Sequence, residues 1–125
     1  MKKVLVIEDN PDNAKIIIYA LHRAGYEAIH AATGEQGVEL AIRELPPFIL
    51  MDINLPGIDG IETTRRIRSS KADGDIPIIA ITSFAMAGDR ERILAAGCSG
   101  YIEKPIDPLT IMDQIHRIIK EHSES

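Results

Sequence analysis

The fold is decided by the first strand-to-helix unit, which reads KVLVIEDNPDN at residues 3–13. A short apolar run is followed by two acids and then by Asn10 and Pro11. Asn is a preferred cap residue of a helix, and Pro is tolerated in the first helical turn. The segment therefore predicts a buried strand over Lys3–Ile7 and a helix that begins at about Pro11 and reaches Ala24.

The same alternation of a short apolar run and a longer stretch of helical period recurs along the rest of the chain. Such βα repetition is typical of a parallel sheet covered by helices on both faces. Further strands are predicted at Tyr26–Ala31, Phe48–Met51, Pro77–Ile81 and Gly100–Glu103. Further helices are predicted at Ile61–Ser69, Ala85–Ala96 and Asp107–Lys120, together with one that follows a capping box of Thr33 and Gln36 and reaches Glu44.

These elements make one doubly wound α/β domain with five parallel strands and five helices. The 125 residues are 45% hydrophobic and 26% charged, which is ordinary composition for a single globular domain. We expect the domain to occupy residues 1–122 and a frayed tail to occupy residues 123–125.

Composition also indicates the cellular compartment and which classes of partner to exclude. The single Cys98 cannot form an internal disulfide, which favours a reducing cytoplasm. No apolar stretch approaches the roughly 20 residues of a membrane span. The net charge is −5 and the basic residues are scattered, which argues against nucleic-acid binding. We expect a soluble cytoplasmic protein that binds neither nucleic acid nor membrane.

Chemically active side chains fall where the predicted strands end. They are Glu8, Asp9, Asp52, Thr82 and Lys104. The carboxyl ends of parallel strands meet at one edge of an open α/β sheet, and ligands bind there near the point where strand order reverses. If the order is 2-1-3-4-5, the first and third strands are neighbours, and their three carboxylates come within a few ångströms of one another.

Three clustered carboxylates repel one another unless a cation lies among them, and Mg²⁺ suits a site of few carboxylates that also takes phosphate oxygens. Lys104 would add a positive charge opposite the metal, and Thr82 would add a hydroxyl donor. Such a pocket suits a phosphoryl group, whose transfer needs positioning and charge neutralisation. Asp52 alone lies centrally enough to be the nucleophile, so the residues predict a phosphoacceptor there.

The motifs are Glu8-Asp9, Asp52 with Leu55-Pro56-Gly57 and Asp59-Gly60, Thr82-Ser83, and Lys104-Pro105. Over the whole chain this set resembles the receiver family of response regulators in two-component signalling. The resemblance implies a flavodoxin-like fold with strand order 2-1-3-4-5 and a switch that a phosphohistidine donor phosphorylates at Asp52. The run at residues 9–13 resembles the DivK-like subclass of stand-alone receivers and the receiver modules of hybrid kinases.

The resemblance further implies a metal site. Asp9 and Asp52 would bind Mg²⁺ directly together with the backbone carbonyl of Asn54, whereas Glu8 would hold a water of the metal. The family often has two Asp residues where this chain has Glu8-Asp9. The Glu variant is common and leaves the metal role intact.

The resemblance also implies the parts of a switch. Thr82 and Lys104 would contact the phosphoryl oxygens, and Tyr101 would be the aromatic residue that changes rotamer. A cis peptide bond between Lys104 and Pro105 would direct the lysine side chain into the site. The product would be an altered surface for a partner protein.

The phosphoryl donor is expected to be another protein. The histidines of this chain have no metal-ligand spacing and are interpreted as surface residues; they are His22, His30, His116 and His122. A histidine kinase or a histidine phosphotransfer protein would therefore supply the phosphoryl group, and a downstream protein target would read the phosphorylated surface.

The first helix suggests where the donor docks. The residues assigned to the core by spacing are Asn13, Ile16, Ile17, Ala20, Leu21 and Ala24. This assignment leaves Ala14 and Ile18, with Tyr19 beside them, facing solvent next to the phosphorylation site. We therefore hypothesise that Ala14 and Ile18 form a docking patch for a helical phosphodonor.

Three other interpretations remain open. The chain could be a receiver module cut from a hybrid histidine kinase, although Met1 directly before the first strand favours a complete protein. It could be a phosphohydrolase with an aspartate nucleophile, but such enzymes generally place a second Asp at the position of Asn54, so we expect only slow autodephosphorylation. It could also be an interaction module that never accepts phosphate.

Overall fold

The computed structural model describes residues 2–70, 75–83 and 87–124. The strands are β1 (Lys3–Ile7), β2 (Glu27–Ala31), β3 (Ile49–Asp52), β4 (Ile78–Thr82) and β5 (Gly100–Glu103). The helices are α1 (Pro11–Arg23), α2 (Gly34–Glu44), α3 (Gly60–Ser69), α4 (Ala87–Ala95) and α5 (Ile111–Glu124). The elements alternate along the chain, as the sequence predicts.

All strand pairs are parallel and the sheet order is β2-β1-β3-β4-β5, which confirms the predicted topology. The chain leaves β1 for one edge of the sheet and returns to the other side of β1 with β3. Strand order therefore reverses between β1 and β3, and the carboxyl ends of these two strands border the crevice where ligands bind in such sheets.

Helices cover both faces of the sheet, so the inner strands β3 and β4 are buried along their whole length rather than on alternate residues. Successive side chains of β1 point to opposite faces. Val4 and Val6 belong to a core with residues of α1 and α5, namely Ile17, Leu21, Ile111 and Ile115. Leu5 and Ile7 belong to a second core with residues of α2, α3 and α4, namely Leu40, Ala41, Ile67 and Ile93.

Local caps explain where the early helices begin. The side chain of Asn10 accepts hydrogen bonds from the backbone N–H groups of Asp12 and Asn13, which confirms the predicted cap of α1. At α2, Oγ1 of Thr33 accepts from the N–H of Gln36 at 3.1 Å. Oε1 of Gln36 then accepts from the N–H of Ala32, one residue before the partner that a standard capping box would give.

The last helix differs from its prediction. It begins at Ile111 rather than at Asp107, because residues 108–110 form a turn in which the Asp107 side chain accepts from the N–H of Leu109. It also continues past Lys120 to Glu124, so residue 123, expected in a frayed tail, is helical, and residue 125 lies outside the described residues. The predicted start of the fourth helix at Ala85 lies outside them too.

The predicted solvent face of α1 needs a correction. Ala14 is only 3% exposed and packs in the core, so the expectation that it faces water is wrong. The buried residues of α1 are Ala14, Ile17, Ala20 and Leu21, which recur every three or four positions along one helical face. Ala24, predicted in the core, is an exposed cap residue because the helix ends at Arg23. Tyr19 is 56% exposed, as expected, and Ile18 is half-buried.

Within the described parts of the chain, none of the helices has the length and apolar character to cross a bilayer.

Candidate functional site

Three carboxylates meet at the carboxyl edge of the sheet. Glu8 and Asp9 follow β1, Asp52 ends β3, and one carboxylate oxygen from each lies within 4.8 Å of the others. Glu8 and Asp52 are buried, whereas Asp9 is exposed. The neighbouring positions of β1 and β3 in the sheet bring the three acids together, on the edge where the sequence predicts them.

Asp52 is held at both carboxylate oxygens. Oδ1 accepts a hydrogen bond of 2.9 Å from the backbone N–H of Asn54, and Oδ2 accepts one of 2.9 Å from Nζ of Lys104. Only 4% of the residue is exposed. Charged donors and acceptors make the stronger hydrogen bonds, so the Asp52 side chain has a defined orientation.

Lys104 reaches Asp52 from the end of the edge strand β5, across β4. It directly follows β5, and its backbone N–H donates to the carbonyl of Thr82 at 2.8 Å, which extends the pairing of β5 with β4. The peptide bond between Lys104 and Pro105 is cis, as predicted. The ammonium group of Lys104 forms a direct ion pair with Asp52 of the acid cluster.

Glu8 is the carboxylate of the cluster whose surroundings disfavour its ionised form. It is 2% exposed, and its Oε1 has no hydrogen-bond partner among the described residues. Burial raises the pKa of Glu8 to about 7, and its hydrogen bond to the Asp52 carboxyl and the charge of that carboxyl act in the same direction. A hydrogen bond from Asn13 and the charge of Lys104 oppose this shift of the pKa.

The acid cluster fits a hard divalent cation. With Glu8 ionised, three carboxylates face one ammonium group, that of Lys104, so the ion pairs among the described residues leave two negative charges uncompensated. Oε1 of Glu8 is also a buried acceptor without a donor. All ligand atoms on offer are oxygens, the type that Mg²⁺ prefers. The residues present therefore match the charge and the ligand chemistry of a magnesium site.

The loop that follows Asp52 is closely packed, and Gly60 is the residue that permits this. A Cβ atom at position 60 would lie 2.7 Å from Cα of Ile53 and 2.9 Å from the carbonyl oxygen of Asp52, so no larger side chain fits without a shift. The N–H of Gly60 donates to the carbonyl of Ile53 at 2.9 Å. Asp59 then caps α3 by accepting from the N–H of Glu62. These contacts fix the loop that carries Asn54.

Thr82 ends β4 and is 2% exposed. It lines a cavity of about 120 Å³ together with Asn54, Asp59 and Arg92, between the loop after β3 and helix α4. Thr82 and the loop after Asp52 therefore border one space. The expected contact of Thr82 with phosphoryl oxygens stays a prediction.

Tyr101 lies half-buried on β5, opposite Ala80 of β4. The guanidinium carbon of Arg90, in α4, lies 5.5 Å from the centre of its ring, within the range of a cation–π contact. Arg90 also approaches Glu103 at 3.6 Å. Sequence analysis did not single out Arg90, because a contact between a helix and the strand that follows it leaves no spacing pattern.

A family model for the response regulator receiver domain matches residues 4–116. The chain belongs to the response regulator receiver family. It is 43% identical over 105 residues to the polar-differentiation response regulator DivK of Brucella ovis, which covers 84% of this chain and 85% of the relative. The DivK protein of Brucella anthropi matches with the same identity and coverage. The receiver interpretation is thereby confirmed, and its place in two-component signalling follows from the family.

Solved structures share the fold of this receiver. The receiver domain of a sensor histidine kinase from Pseudomonas aeruginosa, described with a magnesium ion coordinated in its active-site cleft, is 39% identical with a TM-score of 0.86, over 95% of this chain and 98% of that one. A chemotaxis response regulator of Vibrio cholerae is 27% identical with a TM-score of 0.89, over 94% and 98%. The CheY-like, flavodoxin-like fold is therefore confirmed.

Proposed function

We propose that this receiver accepts a phosphoryl group on Asp52 from a phosphohistidine of a partner protein, and that the phosphorylated form presents an altered surface to a downstream protein. The observation that carries the proposal is the placement of Asp52. Its carboxylate is buried on the central strand, paired with Lys104 and within 4.8 Å of two further acids. Such a site combines a nucleophile with a cation, Lys104, and with carboxylates that can hold a metal ion, and both positive charges would neutralise a phosphate.

The transfer is a displacement at phosphorus. An oxygen of the Asp52 carboxylate forms a bond to phosphorus, the P–N bond to the donor imidazole breaks, and that imidazole takes a proton from solvent. Lys104, at 2.9 Å from Oδ2, is placed to balance the charge that collects on the phosphoryl oxygens. Later attack of water breaks the P–O bond and restores the carboxylate.

Mg²⁺ is the cofactor that the acid cluster suits. Asp9, Asp52 and the backbone carbonyl of Asn54 would bind it directly, and Glu8 would hold one of its waters. When bound, the ion would offset the negative charge of the carboxylates and of the incoming phosphoryl group. The unpartnered Oε1 of Glu8 supports this role, because a metal-bound water would supply the missing donor.

The switch would run from Thr82 to Tyr101. Phosphorylation adds roughly −1.5 to −2 charge next to the end of β4. Movement of Thr82 toward the phosphoryl group would open space behind β4, and Tyr101, opposite Ala80 on the neighbouring strand, is placed to respond. A change from 1:99 to 99:1 in favour of the active form needs about 5.5 kcal/mol, which several charge-assisted contacts supply.

The partners would be a histidine kinase or a histidine phosphotransfer protein and a downstream target. Ala14 is buried and drops out of the proposed docking patch. Ile18 remains, half-buried on α1 beside the exposed Tyr19, so we place the docking of a helical donor on Ile18 and Tyr19. The same chemistry holds whether the chain acts alone or within a kinase, and the unpaired Cys98 is consistent with a reducing cytoplasm.

Incubation with acetyl phosphate and Mg²⁺, followed by mass spectrometry and a phosphate-release assay, tests the switch against the phosphohydrolase alternative. A single phosphoryl adduct that persists while little phosphate is released supports the switch. Rapid release without an adduct supports a hydrolase, and neither adduct nor release supports an interaction module. A pull-down that compares phosphorylated protein with an Asp52→Asn variant would identify the partners.

A further inference from the structure

The backbone N–H and the backbone C=O of Glu8 both contact residues of β2. Its N–H donates to the carbonyl of Ala31 at 2.9 Å. Its carbonyl oxygen lies 2.7 Å from Nε2 of His30, a side chain on the same strand. Regular pairing of β1 with β2 ends at Ile7 and Ala31, so a side chain contacts the carbonyl just beyond the ladder.

The contact has a defined direction. A carbonyl oxygen only accepts hydrogen bonds, so Nε2 of His30 must carry the hydrogen. Both the imidazolium and the neutral tautomer with Nε2–H satisfy this condition. The contact therefore orients the peptide group without requiring one particular charge on the ring.

The carbonyl belongs to the peptide bond that joins two of the three clustered acids. The N–H of Glu8 belongs to the preceding Ile7–Glu8 peptide, so β2 contacts one planar peptide group on each side of the Glu8 Cα atom. Fixing both groups restricts the directions in which the Glu8 side chain and the chain toward Asp9 leave the strand. Both carboxylates lie within 4.8 Å of Asp52 and repel it in the absence of a cation. A fixed backbone keeps the carboxylates of Glu8 and Asp9 close enough to Asp52 for the three to bind one ion.

We propose that His30 is a positioning residue of the magnesium site, which holds the Glu8–Asp9 peptide so that both acids face Asp52. The inference rests on the proposed function, since it assigns His30 to the same site. Groups that orient metal ligands from outside the coordination shell commonly influence metal affinity.

The test compares Mg²⁺ affinity by titration calorimetry with thermal unfolding in EDTA for the wild type and three variants. His30→Met removes the donor but keeps a side chain of similar length, and His30→Gln offers an amide N–H at a similar reach. His116→Met, at an exposed position of α5, is the control for loss of a histidine. We expect His30→Met to weaken Mg²⁺ binding by about three- to tenfold, and His30→Gln and His116→Met to stay within about twofold of wild type.

Equal Mg²⁺ affinity of His30→Met and wild type would overturn the inference and leave the proposed function intact. So would a His30→Gln variant as weak as His30→Met, or a loss of stability in EDTA without a loss of affinity, because a purely structural histidine would behave in these ways. A wild-type protein that binds no Mg²⁺ would overturn the metal site itself together with this role of His30.

Discussion

Nζ of Lys104 donates a 2.9 Å hydrogen bond to Oδ2 of Asp52, although β4 lies between the strands that carry the two residues. The lysine thus spans the carboxyl edge of the sheet, and only 18% of its side chain is exposed. It gives the acid cluster a fixed cation and also competes with any metal for the charge of Asp52. This double role makes its removal informative.

Replacement of Lys104 by Met should affect metal binding and phosphorylation in opposite directions. Mg²⁺ should bind more tightly, by about 1 kcal/mol or roughly fivefold, because the repulsion between the ammonium group and the metal disappears. Phosphorylation by acetyl phosphate should be slower by at least about tenfold, because the charge that balances the phosphoryl oxygens is lost. Calorimetry and mass spectrometry measure the two quantities.

The neutral variant Lys104→Gln is the matched control, since it removes the charge but retains an N–H donor for Asp52. It should bind Mg²⁺ nearly as tightly as Lys104→Met while phosphorylating slowly. A Lys104→Met variant that binds Mg²⁺ more weakly than wild type would contradict the charge argument.

The stability of the metal-free protein should fall with rising pH through the titration of Glu8. Its pKa is about 7 in the folded protein, against an ordinary value of 4.5, so the folded state holds this proton more tightly than the unfolded chain does. The contribution is fully present below pH 4.5 and is lost as the pH rises to about 7. Thermal unfolding in EDTA across this range measures it.

Mg²⁺ should reverse that trend, because binding requires Glu8 to give up its proton. The affinity should be about thirtyfold weaker at about pH 5.5 than at about pH 8, which lie below and above the pKa. A Glu8→Gln variant should lose most of both pH dependences. Equal slopes for this variant and the wild type would assign the titration to another group.

Replacement of Ile18 by Lys should slow phosphotransfer from the cognate histidine donor by about tenfold, because a charge would enter the proposed apolar contact. Phosphorylation by acetyl phosphate should not change, since the small donor needs no docking surface. Ile42→Lys on α2 is the control, with a side chain that is 41% exposed on another helix. Unchanged transfer from the cognate donor to the Ile18 variant would remove the docking hypothesis.

Replacement of Leu45 by Gly should stabilise the fold. Leu45 caps α2 with φ of 46° and ψ of 60°, a left-handed conformation that is unfavourable for leucine, and its side chain is 51% exposed. We expect the free energy of unfolding to rise by about 1 kcal/mol and the melting temperature by roughly 4 °C. Ile42→Gly, inside the same helix, should instead lower stability by about 1 kcal/mol. Denaturant and thermal unfolding distinguish the two signs.

Much of the architecture could be predicted because local sequence patterns, short apolar runs that alternate with stretches of helical period, indicate the strands and the kind of sheet they form. The apolar runs of the first, third and fourth strands are each followed by a polar residue, so the positions of Asp52 and Thr82 at strand ends could be predicted without coordinates. The start of α5 could not, because Asp107 followed by Pro is an equally good signal for a helix cap and for the turn that the structure contains.

The solvent face of α1 was mispredicted for a related reason. Three consecutive isoleucines at residues 16–18 fit several helical phases, and only the packing of α1 on the sheet decides that Ile17 is the central buried one. The contacts of His30 with Glu8 and of Arg90 with Tyr101 join residues of different secondary-structure elements. Such contacts depend on tertiary structure and leave no periodic signal in a single sequence.

The central claim is that Asp52 receives the phosphoryl group within a site that needs a divalent cation. The most direct measurement is peptide mapping by mass spectrometry after incubation with acetyl phosphate, with Mg²⁺ or with EDTA, for the wild type and for Asp52→Asn. We expect one adduct, on Asp52, in the wild type with Mg²⁺ and almost none in the other three samples. An adduct of similar yield on the Asp52→Asn protein, or in EDTA, would contradict it.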